Sequence, residues 1–570
     1  MADFDLVIRG GLVVDGAGGA PFEGDIAVDG GKIAAVGAVS GSGREEIDAR
    51  HRIVTPGFLD IHTHYDGQVT WGQRILPSSA HGVTTAVMGN CGIGFAPCRA
   101  HDRDRLVRLM EGVEDLPGVV LTTGLPWDWE SFPDYLDFVG ARRFDLDVAA
   151  QLPHAALRVF AMGERAEARE KATAEDCAVM AKLAGQAIAA GALGFATSRT
   201  INHRASDGTH VPTLEAGEAE LTEIALALKA AGRGVLQVIS DFDDIETDLA
   251  MLRRVAERSG RPMSVSLMQW HHVPDRWRQI LAWIEQCNAD GIKIKGQVAG
   301  RPIGLLMGFE FSVNPFCTTP TFQALLKEPI ERRRTLLRQP DIRARILAEA
   351  PQGDNGMPMA RNFAGMYALG DPPNYEPTPG TDLQSLAEQR GVTAAELAYD
   401  AMLEHGGQGN LICPSVNFAG ASLEAASEML RHPDTVYGLG DGGAHLGFLC
   451  DASLPTYMLQ HWARDRTRGP RIALESVVRG LTSDLAAAVG LHDRGTIRPG
   501  LKADINVIDF DRLTLHSPTM SYDLPAGGRR LDQQASGYTA TIVSGQIVRR
   551  DDQPTGALPG RLVRGSPMAG

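Results

Sequence analysis

Hydrophobic and polar positions along the 570-residue chain follow two rhythms. Near both ends, short β-branched runs are broken by Gly and Asp-Gly, the signature of hairpins. "DLVIRGGLVVDG" and "DIAVDGGKIAAVG" do this at the start; "KADINVIDFD" and "ATIVSGQIVRRD" do it at the end. "VDGGKI" and "VSGQIV" are two versions of one hairpin. The pattern predicts one small β-sandwich built from residues 1–56 and 492–570, with a large domain, 57–491, between them. Two separate small β-domains are the alternative.

The middle alternates differently. Apolar strands ("GVTTAVMG", "GALGFATS", "GVLQVIS", "MSVSLMQ", "GIKIKGQV", "TVYGLGD") are separated by helical stretches such as "LTEIALALKAAG" and "AELAYDAMLEHGG". In the helices apolar residues recur at three and four, and glycine marks several C-terminal ends. This predicts an α/β fold, a (β/α)8 TIM-like barrel with insertions. A doubly wound sheet is the rival, and no GxGxxG after the first strand supports it. From about 309 to 380 prolines and aromatics break the rhythm. That segment reads as an inserted lid or subdomain over the barrel mouth, or as a plain surface excursion.

Chemistry concentrates at strand ends. In "GFLDIHTHYDGQVTW", period-two alternation puts Phe58, Asp60, His62 and His64 on one face. Two adjacent imidazoles at a barrel mouth suit a borderline metal; a pair of histidines on a wet loop is the bland alternative. "GVTTAVMGNCGIG" sets Cys91 at the end of a buried strand, where a thiolate can ligate a metal or simply fill space. "TVYGLGDGGAHLG" ends on Asp441, placed to move a proton or merely to make a turn.

Composition narrows the class. A net charge of −15 opposes nucleic acid, whose phosphates need a basic face. There is no apolar run near ~18 residues, so no membrane span is expected, and the start "MADFDLVIRGG" lacks the apolar centre of a signal peptide. Seven scattered cysteines suit a reducing cytoplasm rather than a disulfide framework. A homo-oligomer is compatible with a barrel of this size, and nothing in the sequence fixes its symmetry.

These stretches, "VTPGFLDIHTHYD", "GVTTAVMGNCGIG", "GALGFATS" and "GLGDGGAH" with the tail "RGTIRPGLKADINVID", resemble the amidohydrolase superfamily, and within it the D-aminoacylase (N-acyl-D-amino-acid deacylase) branch. The likeness runs from about Leu6 to Val548. The cysteine of "GNCG" narrows it, since many other members carry a carboxylated lysine. The resemblance implies a metallohydrolase barrel beside a β-sandwich, with His62, His64 and Cys91 as metal ligands and Asp441 as the catalytic acid/base. The implied reaction is metal-dependent hydrolysis of a non-peptide C–N bond in a small-molecule amide. The implied cofactor is Zn2+, one or two ions, other divalent metals being open.

Two departures stand out. This branch normally offers a histidine at each of the next ligand-bearing strand ends. Here the first reads Ile239, Ser240, Asp241, and the second reads Leu267, Met268, Gln269, with His271 and His272 slightly late. Asp241 or His271 filling in, one weakly held metal, or loss of metal chemistry all stay open. Arg199 and Arg301 follow strands and are candidates for pairing with a substrate carboxylate; an ordinary ion pair is the alternative for each. A cyclic amide hydrolase, hydantoinase- or dihydroorotase-like, and an altered barrel serving as a binding or scaffold protein are the competing functions.

Overall fold

The computed structural model describes residues 2–353 and 358–565. The two rhythms fold into two separate sheets. Strands β1 (Phe4–Val13), β2 (Phe22–Asp29), β3 (Lys32–Gly37), β4 (Gly43–Asp48) and β5 (Ile53–Pro56) come from the N-terminal end. They are continued by strands from the far end of the chain.

The barrel follows in sequence: β6 (Phe58–Asp60), β7 (Val83–Met88), β8 (Asp147–Pro153), β9 (Gly194–Arg199), β10 (Val235–Ser240), β11 (Met263–Ser266) and β12 (Ile294–Val298). An insertion holds β13 (Ile303–Met307), β14 (Tyr367–Ala368) and β15 (Leu411–Val416), and β16 (Thr435–Tyr437) completes the ring. Beyond it lie β17 (Ile505–Ile508), β18 (Thr514–Leu515), β19 (Thr519–Leu524), β20 (Gly528–Asp532), β21 (Ala535–Ser536), β22 (Tyr538–Val543), β23 (Gln546–Arg550) and β24 (Gln553–Pro554).

β6 to β12 and β16 pair in parallel in that order. A parallel bridge between Thr63 and Gly442 joins the ends of β6 and β16 and closes the ring. Every residue of β7 and β8 is buried, as expected for parallel strands covered by the barrel interior on one face and helices on the other. The chain is a (β/α)8 barrel with a β-sandwich formed by both termini. In the latter, β5 pairs antiparallel with β17, and β17 with β22. Ile8, Val13, Ile26, Ile505, Val507 and Ile542, drawn from both termini, share one core.

Two predicted boundaries shift. The insertion begins before residue 309 and runs past 380, because β13 pairs with β15, and β15 with β14. It has its own core of Leu305, Met307, Phe309, Phe316, Tyr399 and Met402. Residues 354–357 of the predicted lid, and Met1 and 566–570 of the predicted sandwich, lie outside the described residues. Nor does all of 492–570 stay with the sandwich. The β19–β20 hairpin leaves it for the barrel mouth, where the Leu531 N–H donates to the Leu446 carbonyl at 2.6 Å. Among the described residues no helix is long and apolar enough to cross a membrane.

Candidate metal centre

The "HTH" stretch leaves β6 at the C-terminal end of the barrel, where strand ends converge. His62 and His64 are buried, at 1% and 2% exposure. Each outer nitrogen faces a polar partner, by a hydrogen bond for His62 and at ion-pair distance for His64. His62 Nδ1 lies 2.8 Å from Gln297 Oε1, and Gln297 in turn donates to Ser264 Oγ at 2.9 Å. His64 Nδ1 lies 3.1 Å from Glu114 Oε1, at the end of the helix Arg103–Glu114. Both Nε2 atoms therefore point inward, the arrangement that ligating imidazoles adopt.

Cys91 meets them from β7. Its Sγ is 3.2 Å from His62 Nε2, and its backbone N–H donates to Gln237 Oε1 on β10 at 3.0 Å. The turn "GNCG" is shaped by its first glycine: Gly89 has φ +83°, and a Cβ there would meet the Gln151 carbonyl oxygen at 2.2 Å. The donor atoms of His62, His64 and Cys91 all lie within 4.8 Å of one another, the one such group of three among the described residues.

Asp441 closes the set from β16. Its backbone N–H donates to the His62 carbonyl at 2.9 Å, and the Gly442 carbonyl accepts from the His64 N–H at 2.7 Å. Asp441 Oδ1 then stands 3.3 Å from His62 Nε2 and 3.7 Å from His64 Nε2. Gly440 permits this approach, since a Cβ there would meet Asp60 Oδ2 at 2.3 Å.

Burial and charge oppose each other in this cluster. Burial pushes the His62 and His64 imidazoles down, but the Cys91 thiol, Asp441 and Glu114 overcome it. His62 rises to about 9, and His64 rises well above its ordinary value. Burial pushes the Cys91 thiol and the Asp441 carboxyl up, yet the imidazoles hold both below their usual ranges. The thiol and the carboxyl thus converge on the two imidazoles, and the site attracts positive charge. A divalent ion would supply it with the imidazoles neutral. A buried N, N, S donor set with an adjacent carboxylate and outer nitrogens facing polar partners fits such an ion.

The other sequence candidates go elsewhere. His271 is not in the cluster; its N–H donates to the Ser415 carbonyl at 3.3 Å on the insertion side. Asp241 is engaged by Thr200 Oγ1 at 2.5 Å and the Ile201 N–H at 2.7 Å. Arg199 turns to the helix side of the barrel, onto Asp248 at 3.3 Å and the Ala216 carbonyl. Arg301 is fully buried on Asp451 at 2.6 Å, with Ser453 and the Cys450 carbonyl, so its charge is spent inside the protein. Both arginines are paired with carboxylates of the chain itself. Sequence reasoning missed Gln297, Glu114 and Gln237. A glutamine inside the apolar run "GIKIKGQV" was the signal for Gln297, and Gln237 in "GVLQVIS" stands alike.

The amidohydrolase family model ("Amidohydrolase family") matches residues 45–549. The chain belongs to that family. It is 27% identical to the D-aminoacylase of Alcaligenes xylosoxydans xylosoxydans, over 98% of this chain and 97% of that one. A solved D-aminoacylase structure, described by its binuclear metal centre, superposes with a TM-score of 0.66 at 25% identity, covering 99% of this chain and all of that one. The N-acyl-D-glutamate deacylase of Bordetella bronchiseptica, solved with zinc and a phosphonate inhibitor, shares the fold at a TM-score of 0.62 and 21% identity, over 98% and 99% of the two chains. The amidohydrolase described here therefore falls in the D-aminoacylase-like branch. It is a metal-dependent hydrolase of carbon–nitrogen bonds other than peptide bonds.

Proposed function

We propose that this amidohydrolase deacylates N-acyl-D-amino acids, with His62, His64 and Cys91 holding a divalent ion, zinc in the first place, and Asp441 as acid/base. The observation that carries the reading is the convergence of His62 Nε2, Cys91 Sγ and Asp441 Oδ1 at 3.2–3.3 Å in a buried barrel mouth. The relatives named above, which deacylate N-acyl-D-amino acids by name, supply the substrate class.

The ion would supply Lewis acidity at the scissile carbonyl. The chain's own residues do the rest. Gln297 orients the His62 imidazole through a hydrogen bond, and Glu114 faces His64 Nδ1 as an ion-pair partner. The Asp441 carboxylate accepts a proton from the attacking water as its oxygen bonds to the carbonyl carbon. The same proton passes to the amide nitrogen as the C–N bond breaks, giving a carboxylic acid and a free amine. Cys91, Cys98, Cys177, Cys287, Cys413 and Cys450 stand as buried thiols, which fits a reducing cytoplasm.

A panel of N-acetyl-D- and N-acetyl-L-amino acids, with one cyclic amide, tests the reading. Hydrolysis of D-substrates that a chelator abolishes is the expected result. Turnover of the cyclic amide alone would move the reading to the hydantoinase-like alternative.

A further inference from the structure

The donors in the barrel mouth are one-sided. His62, His64, Cys91 and Asp441 come from the ends of β6, β7 and β16. The opposite half of the mouth is built by β10, β11 and β12, and period-two alternation shows what those strands present. Gln237 reaches inward to the Cys91 N–H, so Ile239, two residues on, follows it toward the mouth. Ser264 accepts from inward-facing Gln297, and from their two strands Met268 and Ala299 continue the same faces. Ile239, Met268 and Ala299 pack with Leu439, Val416, Trp270 and Ile303 in one apolar cluster. None of them offers an imidazole, thiolate or carboxylate donor to a divalent ion.

Several polar groups beside this wall are bonded elsewhere. His203 Nδ1 is bonded to Ser198 Oγ at 2.8 Å, and His154 is held between Thr197 Oγ1 at 2.8 Å and Glu220 Oε1 at 2.9 Å. Asp241 caps the 200–201 turn, and His271 stays on the insertion side.

We infer that this chain holds a single divalent ion, on the β6–β7–β16 side of the mouth, and that Ile239 and Met268 occupy the position where a second ion would need ligands. The inference rests on the proposed metal site, and contrasts with the binuclear centre by which the similar D-aminoacylase structure is described. A thiolate shared between two ions would need donors on its far side, and among the described residues no second group of three donor side chains gathers there.

Elemental analysis of the full chain, loaded with excess Co2+ and desalted, reads the stoichiometry directly. One ion per chain is expected, with a thiolate-to-cobalt charge-transfer band that Cys91→Ser removes. The double variant Ile239→His/Met268→His should bind a second ion. Two ions in the parent chain overturn the inference and leave the proposed function standing. No ion and no charge-transfer band overturn the proposed metal site itself. A double variant that folds, by circular dichroism, and still binds one ion overturns the assignment of these two side chains as what excludes the second.

Discussion

Asp441 and His62 are joined twice. The Asp441 N–H donates to the His62 carbonyl at 2.9 Å, and the Asp441 carboxylate faces His62 Nε2 at 3.3 Å. The backbone contact that completes the barrel also sets the proposed acid/base against the histidine pair. Asp441→Asn keeps the backbone bond and the shape but removes the proton acceptor. Turnover should fall on the order of 10²-fold or more with an unchanged circular dichroism spectrum. Unchanged kcat would take Asp441 out of the mechanism.

Gln297 and Glu114 act through the imidazoles they hold. Gln297→Leu frees His62 Nδ1, and Glu114→Gln weakens the hold on His64. Each should weaken metal affinity roughly 10- to 100-fold, read by titration against a competing chelator. Rescue of the Gln297→Leu loss by Gln297→Asn or Gln297→Glu separates positioning from simple packing damage. An unchanged affinity in both first variants would show that the outer nitrogens need no partner.

The apolar wall bears on substrate choice. Ile239, Met268 and Leu439 cluster with Ile303, which also lines a cavity of about 270 Å³ together with Leu305, Met359, Phe448 and Leu449. Each buried CH2 contributes about 0.8 kcal/mol. N-acetyl-D-leucine should exceed N-acetyl-D-aspartate in kcat/KM by at least about tenfold on the area of its side chain alone. Equal values would place the substrate side chain elsewhere.

Acid should destabilise the fold through His81. It is fully buried between Thr456 Oγ1 and the Gln533 carbonyl, and burial holds it down to about 3. Below its ordinary value of 6.5 the unfolded chain takes up a proton that the folded chain refuses. Stability from this group is therefore complete above pH 6.5 and is lost as pH falls toward 3, at up to about 1.4 kcal/mol per pH unit. Melting temperatures at pH 7 and pH 5 should drop more steeply for the parent than for His81→Asn. Parallel slopes would exclude His81 as a source.

Much of this was legible before any coordinates. Period-two alternation in "FLDIHTH" and the strand-end positions of Cys91 and Asp441 suffice, because a barrel gathers strand ends in one place. The hairpin pair "VDGGKI" and "VSGQIV" carried the shared sheet for the same reason: strand chemistry is local. What was not legible depends on distant pairing. Arg199 and Arg301 follow strands, yet Asp248 and Asp451 claim them from elements far along the chain. Glu114 looks like any helix-terminal acid until its helix packs against His64. The insertion's edges were missed because β13 and β15 define each other across more than a hundred residues.

The central claim is that His62, His64 and Cys91 hold an ion on which amide hydrolysis depends. Its most direct test is the turnover of an N-acetyl-D-amino acid by the purified chain, before chelation, after it, and after re-addition of Zn2+, alongside Cys91→Ala. The account predicts activity that chelation abolishes, Zn2+ restores in the parent, and Zn2+ fails to restore in the variant. Activity indifferent to chelator and equal in Cys91→Ala would contradict it.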